Sequence, residues 1–449
     1  MPEHSLAEWL TLLEARHPSE IDLGLDRVAA VWSAIVQQRR QRGDAISLPT
    51  AITVSGTNGK GSCLASMQAV ALAHGYRVGL FTSPHFLHYN ERIAIQGLPA
   101  QDRVIVDAFD EIEAARGEIS LTYFEFGTLA ALVVFLDAGL DLVLLEVGLG
   151  GRLDAINIID ADVAVVTSIA LDHQAWLGDT RELIAVEKLG IARPSRPLVI
   201  AEADGPKGFD RAIAATGAQP FVIGRDFILD PDPDPDPDPD PDPDQKPERF
   251  SLSLGDSGAG SQHFDGLPVS GLMPSNKAAA LQALSCAGLS LSADKVVAAL
   301  DGLALTGRQQ RMMVNDCSVI LDVAHNPAAA KALAAALPPI SGRYLAVVSV
   351  LNDKDWPGIV EPLSDIFAEW YVGEISDSER ATKAQTMFEV LYNAGRSSHL
   401  FESVEEAFTG ALAEVAKEAS KDDVIVVFGS FHTVSAVLNM QRVSDGCIQ

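Results

Sequence analysis

Apolar residues along this chain fall into two patterns. Short continuous runs at Ala51-Ser55, Val78-Phe81, Leu142-Glu146, Val163-Thr167 and Leu198-Ala201 read as strands buried on both faces. Between them, helical spacing of apolar positions fits Leu25-Arg42, Leu64-His74, Val104-Arg116, Gly127-Ala138 and Arg181-Ala192, and residues 276–300 read as two more helices. Strand–helix alternation of this kind predicts a parallel sheet with helices on its faces. After about residue 305 the alternation resumes, with strands at Val319-Val323, Tyr344-Val350, Trp370-Val372 and Val424-Phe428. Helices there fit Ala328-Ala336, Ala384-Ala394, Val404-Lys417 and Phe431-Leu438. The pattern predicts two α/β domains, residues 1–305 and 306–449, with a soft boundary between Gly302 and Gly307. A cleft between two such domains is a common place for a ligand.

A length of 449 residues suits two or three domains, and 47% hydrophobic with 21% charged residues is an ordinary globular balance. No apolar run is long enough to span a bilayer, and Met1-Pro2-Glu3-His4-Ser5 lacks the basic and apolar regions of a secretory signal. A soluble cytoplasmic protein is the expectation. Cys63, Cys286, Cys317 and Cys447 are scattered without CxxC spacing, which argues against a zinc site or a disulfide framework. The net charge of -28 repels nucleic acid and acidic membranes, so an anionic substrate needs a local basic cluster.

One segment is low in complexity. Asp230 to Asp244 alternates strictly with proline and carries eight of the 61 acidic residues. Proline donates no backbone hydrogen bond and the aspartates repel one another, so an unpacked, extended, polyproline-like surface insertion is expected.

The strand Ile52-Ser55 runs into Gly56-Thr57-Asn58-Gly59-Lys60-Gly61-Ser62, with Ser62 expected to open a helix. Three glycines let backbone N–H groups approach phosphate oxygens, and the helix N-terminus adds its positive dipole end. Lys60 can bridge β- and γ-phosphates, and Ser62 can reach a magnesium ion. The spacing departs from the general G-x-x-x-x-G-K-[ST] pattern, because Val54 takes the first glycine position and Gly61 separates Lys60 from Ser62. The fold class is therefore read as α/β: a P-loop parallel-sheet ATPase domain followed by a smaller, Rossmann-like α/β domain.

Other residues carry two readings each. Glu146 ends the apolar strand Leu142-Leu145, either as a salt-bridged carboxylate or as a metal ligand at the carboxyl edge of the sheet. His173, after Asp172, is by itself a satisfied polar residue, and Lys188 by itself a solvated helical lysine. Arg308 is a surface ion-pair residue or a ligand contact, and Asp322-Val323-Ala324-His325 a strand-end turn before a helix beginning at Asn326-Pro327. Tyr123 and Phe124 present aromatic faces for a flat heterocycle or for the core.

Taken together, the motifs resemble the Mur ligase superfamily, and more narrowly its folate branch, the folylpolyglutamate and dihydrofolate synthases. The resemblance runs in order through Gly56-Ser62, Thr82-Ser83-Pro84-His85, Asn90-Glu91-Arg92, Thr122-Tyr123-Phe124-Glu125, Glu146-Val147-Gly148-Leu149-Gly150-Gly151-Arg152-Leu153-Asp154, Asp172-His173, Glu187-Lys188, Asn276, Gly307-Arg308 and Asp322-Pro327. It implies ATP contacts at Gly56, Thr57, Asn58, Gly59, Lys60, Gly61, Ser62, Asn276, Arg308 and Asp322. Magnesium would be held by Ser62, Ser83, Glu146 and His173. It further implies a carbamylated Lys188, which turns a cation unable to bind metal into an anion. The catalytic set would be Lys60, His173, Lys188 and His325. A pterin-type pocket would comprise Asp22, Leu23, Gly24 and Leu25, with Thr122, Tyr123 and Phe124, and with Leu153, Asp154 and Ala155. Lys354, in Asn352-Asp353-Lys354-Asp355-Trp356, is a candidate for binding the anionic amino acid.

The implied activity is addition of L-glutamate to dihydropteroate, and of further glutamates to folates, by a monomer that uses ATP and Mg2+ and no nucleic acid or membrane partner. The substrate carboxylate would attack the γ-phosphate, and the amine would then displace phosphate, with domain closure excluding water. A polyglutamate-only enzyme is one alternative. A cell-wall Mur ligase is another, but the stretch before Gly56 is short for a separate UDP-sugar domain. A nucleotide switch is a third, although Asn352-Asp353-Lys354-Asp355 has the wrong order for a guanine-specific element.

Overall fold

The structure, a computed structural model, describes residues 4–17, 21–231, 249–258, 260–376, 378, 380–418 and 422–444. Cys447 and the Asp-Pro run beyond Pro231 lie outside the described residues. The chain divides into two compact units, Met1–Ala170 with Leu177–Leu303, and Leu171–Trp176 with Ala304–Gln449.

The first unit holds β1 (Thr50–Ser55), β2 (Val78–Phe81), β3 (Ile93–Ile95), β4 (Leu98–Pro99), β5 (Leu142–Glu146), β6 (Val163–Val166), β7 (Pro197–Ile200) and β8 (Gln219–Val222). They form one sheet in the order β4-β3-β2-β5-β1-β6-β7-β8, parallel from β2 to β8, with β3 and β4 added antiparallel at one edge. Alternate strand residues feed two apolar layers: Ala51, Val143 and Leu145 belong to one, Ile52, Val54 and Leu144 to the other. Both faces are thus covered, which is why these strands lack a polar side. The connection from β1 to β2 runs one way and β6 lies on the other side, so the chain reverses direction at β1. That reversal puts the β1 loop where open α/β sheets bind ligands.

Several elements were not anticipated. The helix Leu6–Arg16 is started by a capping box between Ser5 and Glu8 and buries Trp9 and Leu13. The strands β9 (Ile228–Pro231), β10 (Arg249–Ser253) and β11 (His263–Pro268) make a small antiparallel sheet. Asp230 and Pro231 are a correction to the extended insertion: they pair with Ser251 and Phe250. β9 is the edge strand, where a residue without an N–H removes no ladder bond from a central neighbour.

The second unit contains β12 (Gln310–Val314), β13 (Cys317–Leu321), β14 (Tyr344–Val348), β15 (Phe367–Val372), β16 (Ser398–Leu400) and β17 (Val424–Phe428). The order is β12-β13-β17-β14-β15-β16, parallel apart from β12. Trp356, Phe367, Trp370 and Phe428 form the centre of its core.

Candidate active site

The β1 loop ends at Gly59, and the helix Lys60–Ala73 begins at Lys60 rather than at Ser62. Gly59 takes a left-handed conformation, φ +88°, and supplies no side chain to cap the helix. First-turn N–H groups have no intrahelical acceptor, so a helix start of this kind is suited to an anion. The loop is held from its other side. Thr57 N–H donates to Ser168 O (2.9 Å), Asn58 N–H to Ser168 Oγ (2.9 Å), and Thr167 Oγ1 to Asn58 O (2.6 Å). Lys60 Nζ folds back to Gly56 O at 3.1 Å, over the loop. A Cβ on Gly56 would lie 1.9 Å from Thr167 Oγ1, and one on Gly59 2.5 Å from Asn276 Oδ1. Two glycines and the predicted ATP residue Asn276 are therefore one close-packed assembly, and the cradle suits a polyphosphate. Cys63 is wholly buried and its thiol pKa raised by burial, so it is a packing residue.

Glu146 stands beside Val54 in the register of β5 and β1, at the carboxyl edge of the sheet. It is 4% exposed. Thr82 Oγ1 and the Ser83 N–H (3.1 Å) both donate to its Oε2, and its pairing with a basic residue, one of the two sequence readings, is not seen among the described residues. A carboxylate with neighbouring hydroxyl oxygens is a hard-oxygen donor set, which fits magnesium. Ser83 therefore comes to Glu146 as expected; Thr82 was missed, although it stands directly before Ser83 in the quoted motif.

Lys188, in the helix Arg181–Leu189, is 3% exposed. That removes the solvated-lysine reading. Its helix is fastened to the loop after β5: Arg152 N–H donates to Glu187 O (2.8 Å), and a Cβ on Gly151 would lie 2.8 Å from the same oxygen.

The three segments expected to form the acceptor pocket do converge. Gly24 N–H donates to Leu153 O at 3.2 Å, joining residues 22–25 to 153–155. Thr122 caps the helix Tyr123–Asp137 through a capping box with Glu125. Arg27, which the sequence did not single out, reaches Asp22 Oδ2 (2.8 Å) and Glu125 Oε1 (3.1 Å), tying residues 22–25 to that helix start. Phe124 lies against Gly148, where a Cβ would meet its ring at 2.6 Å, and 5.8 Å from the Phe81 ring. Asp154 is 2% exposed and accepts the Leu149 (2.8 Å) and Ile156 (3.0 Å) N–H groups, so its carboxylate shapes its own loop. Burial pushes its pKa up to about 6, against the opposing pull of those amides and of the Lys60 charge.

In the second unit, Asp322 accepts the Gln309 and Ala324 N–H groups, both at 2.9 Å, and burial raises its pKa. Arg308 lies over the Phe431 ring at 5.1 Å. His325 Nδ1 donates to Val323 O (2.8 Å) and its Nε2 faces Asp172 Oδ2 at 3.2 Å. Asn326 caps the helix Pro327–Ala336 and also donates to Asp172 (3.2 Å). Lys354 Nζ donates to Asp172 Oδ1 at 2.6 Å, lies 3.3 Å from Asp353, and its side chain is 4% exposed. The lysine considered for the amino acid thus already faces two carboxylates. Asp172 is buried, but the His325 hydrogen bond and the Lys354 charge hold its carboxyl well below the usual range. Burial lowers His173 to about 4, with Asp172 opposing, so its imidazole is neutral near pH 7. His173 has φ +50°, a left-handed position that few non-glycine residues adopt.

Within the first unit the nucleotide loop, Asn276, Glu146 with Ser83, and the acceptor segments are assembled. Within the second, His173, His325 and Lys354 gather on Asp172. The sequence missed Asp172 as the hub, because its partners stand up to 182 residues away.

Comparison with known proteins gives one family. Residues 307–431 match the model of the Mur ligase glutamate ligase domain. The chain is 39% identical to the dihydrofolate synthase/folylpolyglutamate synthase of Escherichia coli, over 97% of this chain and 95% of that protein. The solved Escherichia coli FolC in complex with DHPP and ADP superposes with a TM-score of 0.86 at 38% identity, covering 99% of this chain and 100% of the other. A bifunctional folylpolyglutamate synthase/dihydrofolate synthase with Mn, AMPPNP and L-glutamate bound superposes at 0.83, with 39% identity and 98% of both chains covered. The chain belongs to the bifunctional dihydrofolate synthase/folylpolyglutamate synthase family, within the Mur ligase superfamily.

Proposed function

We propose that this chain is an ATP-dependent ligase that adds L-glutamate to dihydropteroate and to folates. The observation that carries the reading is the first unit's edge. There, the helix start with Lys60 and the buried Glu146 with its neighbour Ser83 stand at the carboxyl ends of β1, β2 and β5. The relatives' names and bound nucleotide, metal and glutamate support the same activity.

In the first step an oxygen of the acceptor carboxylate attacks the γ-phosphorus of ATP; the β–γ bridging oxygen leaves with ADP, and an acyl phosphate forms. In the second, the glutamate amine attacks that carbonyl, loses a proton, and inorganic phosphate departs. Lys60 and the loop amides stabilise charge on the phosphates, and the packed loop fixes their direction. Ser62, Ser83 and Glu146 would hold magnesium, which supplies charge neutralisation on phosphate oxygens. Buried Lys188, as a carbamate, would add an anion to the site. Residues 22–25, 122–124 and 153–155 would bind the pterin-bearing acceptor. Arg308, Asp322, His173 and His325 of the second unit keep the nucleotide, metal and catalytic roles that the resemblance assigns them. With a net charge of -28 the chain acts on small molecules rather than on nucleic acid. It works as a cytoplasmic monomer.

The test is ADP release with dihydropteroate, with a reduced folate, or with neither, each plus glutamate, and mass analysis of the products. Turnover that needs glutamate and either acceptor supports the bifunctional reading. Turnover with the folate alone leaves polyglutamylation only, and acceptor-independent hydrolysis sinks the ligase reading. Positional isotope exchange within ATP that ignores the acceptor would count against the acyl phosphate.

A further inference from the structure

Arg92 is half-buried and differs from the other arginines around it. Arg16, Arg27, Arg39 and Arg116 each face a carboxylate. Among the described residues no carboxylate lies within ion-pair distance of Arg92. Its guanidinium instead lies over two rings, Tyr89 at 5.6 Å and Tyr123 at 5.4 Å, and its Nε donates to His85 Nδ1 at 2.8 Å. The two rings, themselves in edge contact, and His85 thereby hold one side of the guanidinium, while its terminal nitrogens have no acceptor among the described residues.

The backbone explains this position. Arg92 directly precedes β3, and its carbonyl accepts the Thr82 N–H at 2.9 Å. Thr82 in turn donates its hydroxyl to Glu146. Glu91, its neighbour, accepts the N–H groups of Phe86, Leu87 and His88 at 2.7–2.8 Å and so shapes the segment that presents His85. Arg92 is therefore carried by the same backbone as the metal-site candidates Ser83 and Glu146. It also touches Tyr123, one of the residues expected at the acceptor. The phosphate loop has its own cation, Lys60. A planar guanidinium held by aromatic faces is suited to bidentate contact with a carboxylate.

We infer that Arg92 is a substrate-binding residue that grips a carboxylate of the acceptor. The inference rests on the ligase reading above. That carboxylate has two sources: the reacting group, which dihydropteroate and folates share, or the additional α-carboxylate, which only a folate's glutamate carries.

The experiment measures equilibrium binding to the ADP-loaded wild-type chain and to Arg92→Gln and Arg92→Lys. The probes are dihydropteroate, a monoglutamyl folate, and the corresponding carboxamides. Losing a charge-assisted contact is expected to weaken each acid whose carboxylate Arg92 holds by about 10- to 100-fold, and its amide by less than about threefold. Weakening of both acids assigns the reacting carboxylate; weakening of the folate alone assigns its α-carboxylate. If acids and amides weaken together, or nothing weakens, Arg92 is a packing residue and the inference is overturned. ADP affinity and melting temperature of the two variants separate misfolding from lost recognition, because Arg92→Lys keeps the charge over the rings. Failure of the wild-type chain to bind either acid would instead overturn the ligase reading itself.

Discussion

Asn276 leaves no room for a side chain on Gly59: a Cβ there would sit 2.5 Å from its Oδ1 and 2.7 Å from its Nδ2. Gly59 also has φ +88°, so Gly59→Ala meets a steric clash and a strained backbone together. Strain of about 1–3 kcal/mol is expected at such a position. Moving Asn276 or the loop should weaken ATP binding at least tenfold, readable by calorimetry, with a lower melting temperature. Unchanged ATP affinity would mean that the loop does not hold the phosphates.

Lys188→Ala tests the buried lysine. Activity should fall by roughly 100- to 1,000-fold, the range found when one group that stabilises transition-state charge is removed from an active site. A short carboxylic acid should restore part of it by replacing the carbamate. Full activity without added acid would eliminate both the modification and the role.

Arg27→Ala should separate the acceptor from the nucleotide. The change leaves Glu125, whose side chain is 3% exposed, without its ion-pair partner, and unties Asp22 from the helix Tyr123–Asp137. A destabilisation of about 1–3 kcal/mol is expected, because the arginine itself is part-exposed. The KM for dihydropteroate should rise several-fold while that for ATP stays level. Equal changes in both KM values would show that Arg27 only supports the fold.

Lys277 gives a pH-dependent test of stability. It is 0% exposed and donates to Pro268 O (2.6 Å) and Ser270 O (2.7 Å), in the turn that leads to Asn276. Burial lowers its pKa from 10.5 to about 8. The folded chain therefore binds fewer protons than the unfolded chain between those values. Stability from this group is present above pH 10.5 and is lost as pH falls through 8. Lys277→Met removes that dependence, so relative to wild type the variant should gain as pH falls from 10.5 to 8 and then level off. Denaturant midpoints across this range check it. Parallel curves for the two chains would show that the ammonium is not penalised by burial.

Much of the layout is legible along the chain because it is locally encoded. Continuous apolar runs marked β1, β2 and β5 to within a residue, since a strand covered on both faces has no polar alternation to blur its limits. Gly56 and Gly59 marked a turn that only glycines fit, whereas the helix Leu6–Arg16, though opened by a local capping box of Ser5 and Glu8, was not anticipated. Asp230 and Pro231 show the limit of composition: what β10 offers them as a partner overrides it.

The sequence by itself determined the α/β alternation, the phosphate loop and the motifs that mark the family, because backbone period and turn chemistry depend on neighbours a few residues apart. Only the tertiary structure decided which side chains are buried and what they meet. It buried Lys188, gave the Asp154 oxygens to backbone amides, and turned Lys354 toward Asp172. It joined Arg27 to Glu125, 98 residues away, and set Arg92 against two tyrosines. Burial and charge pairing arise where distant strands and helices come together, and no local period records which residues those will be.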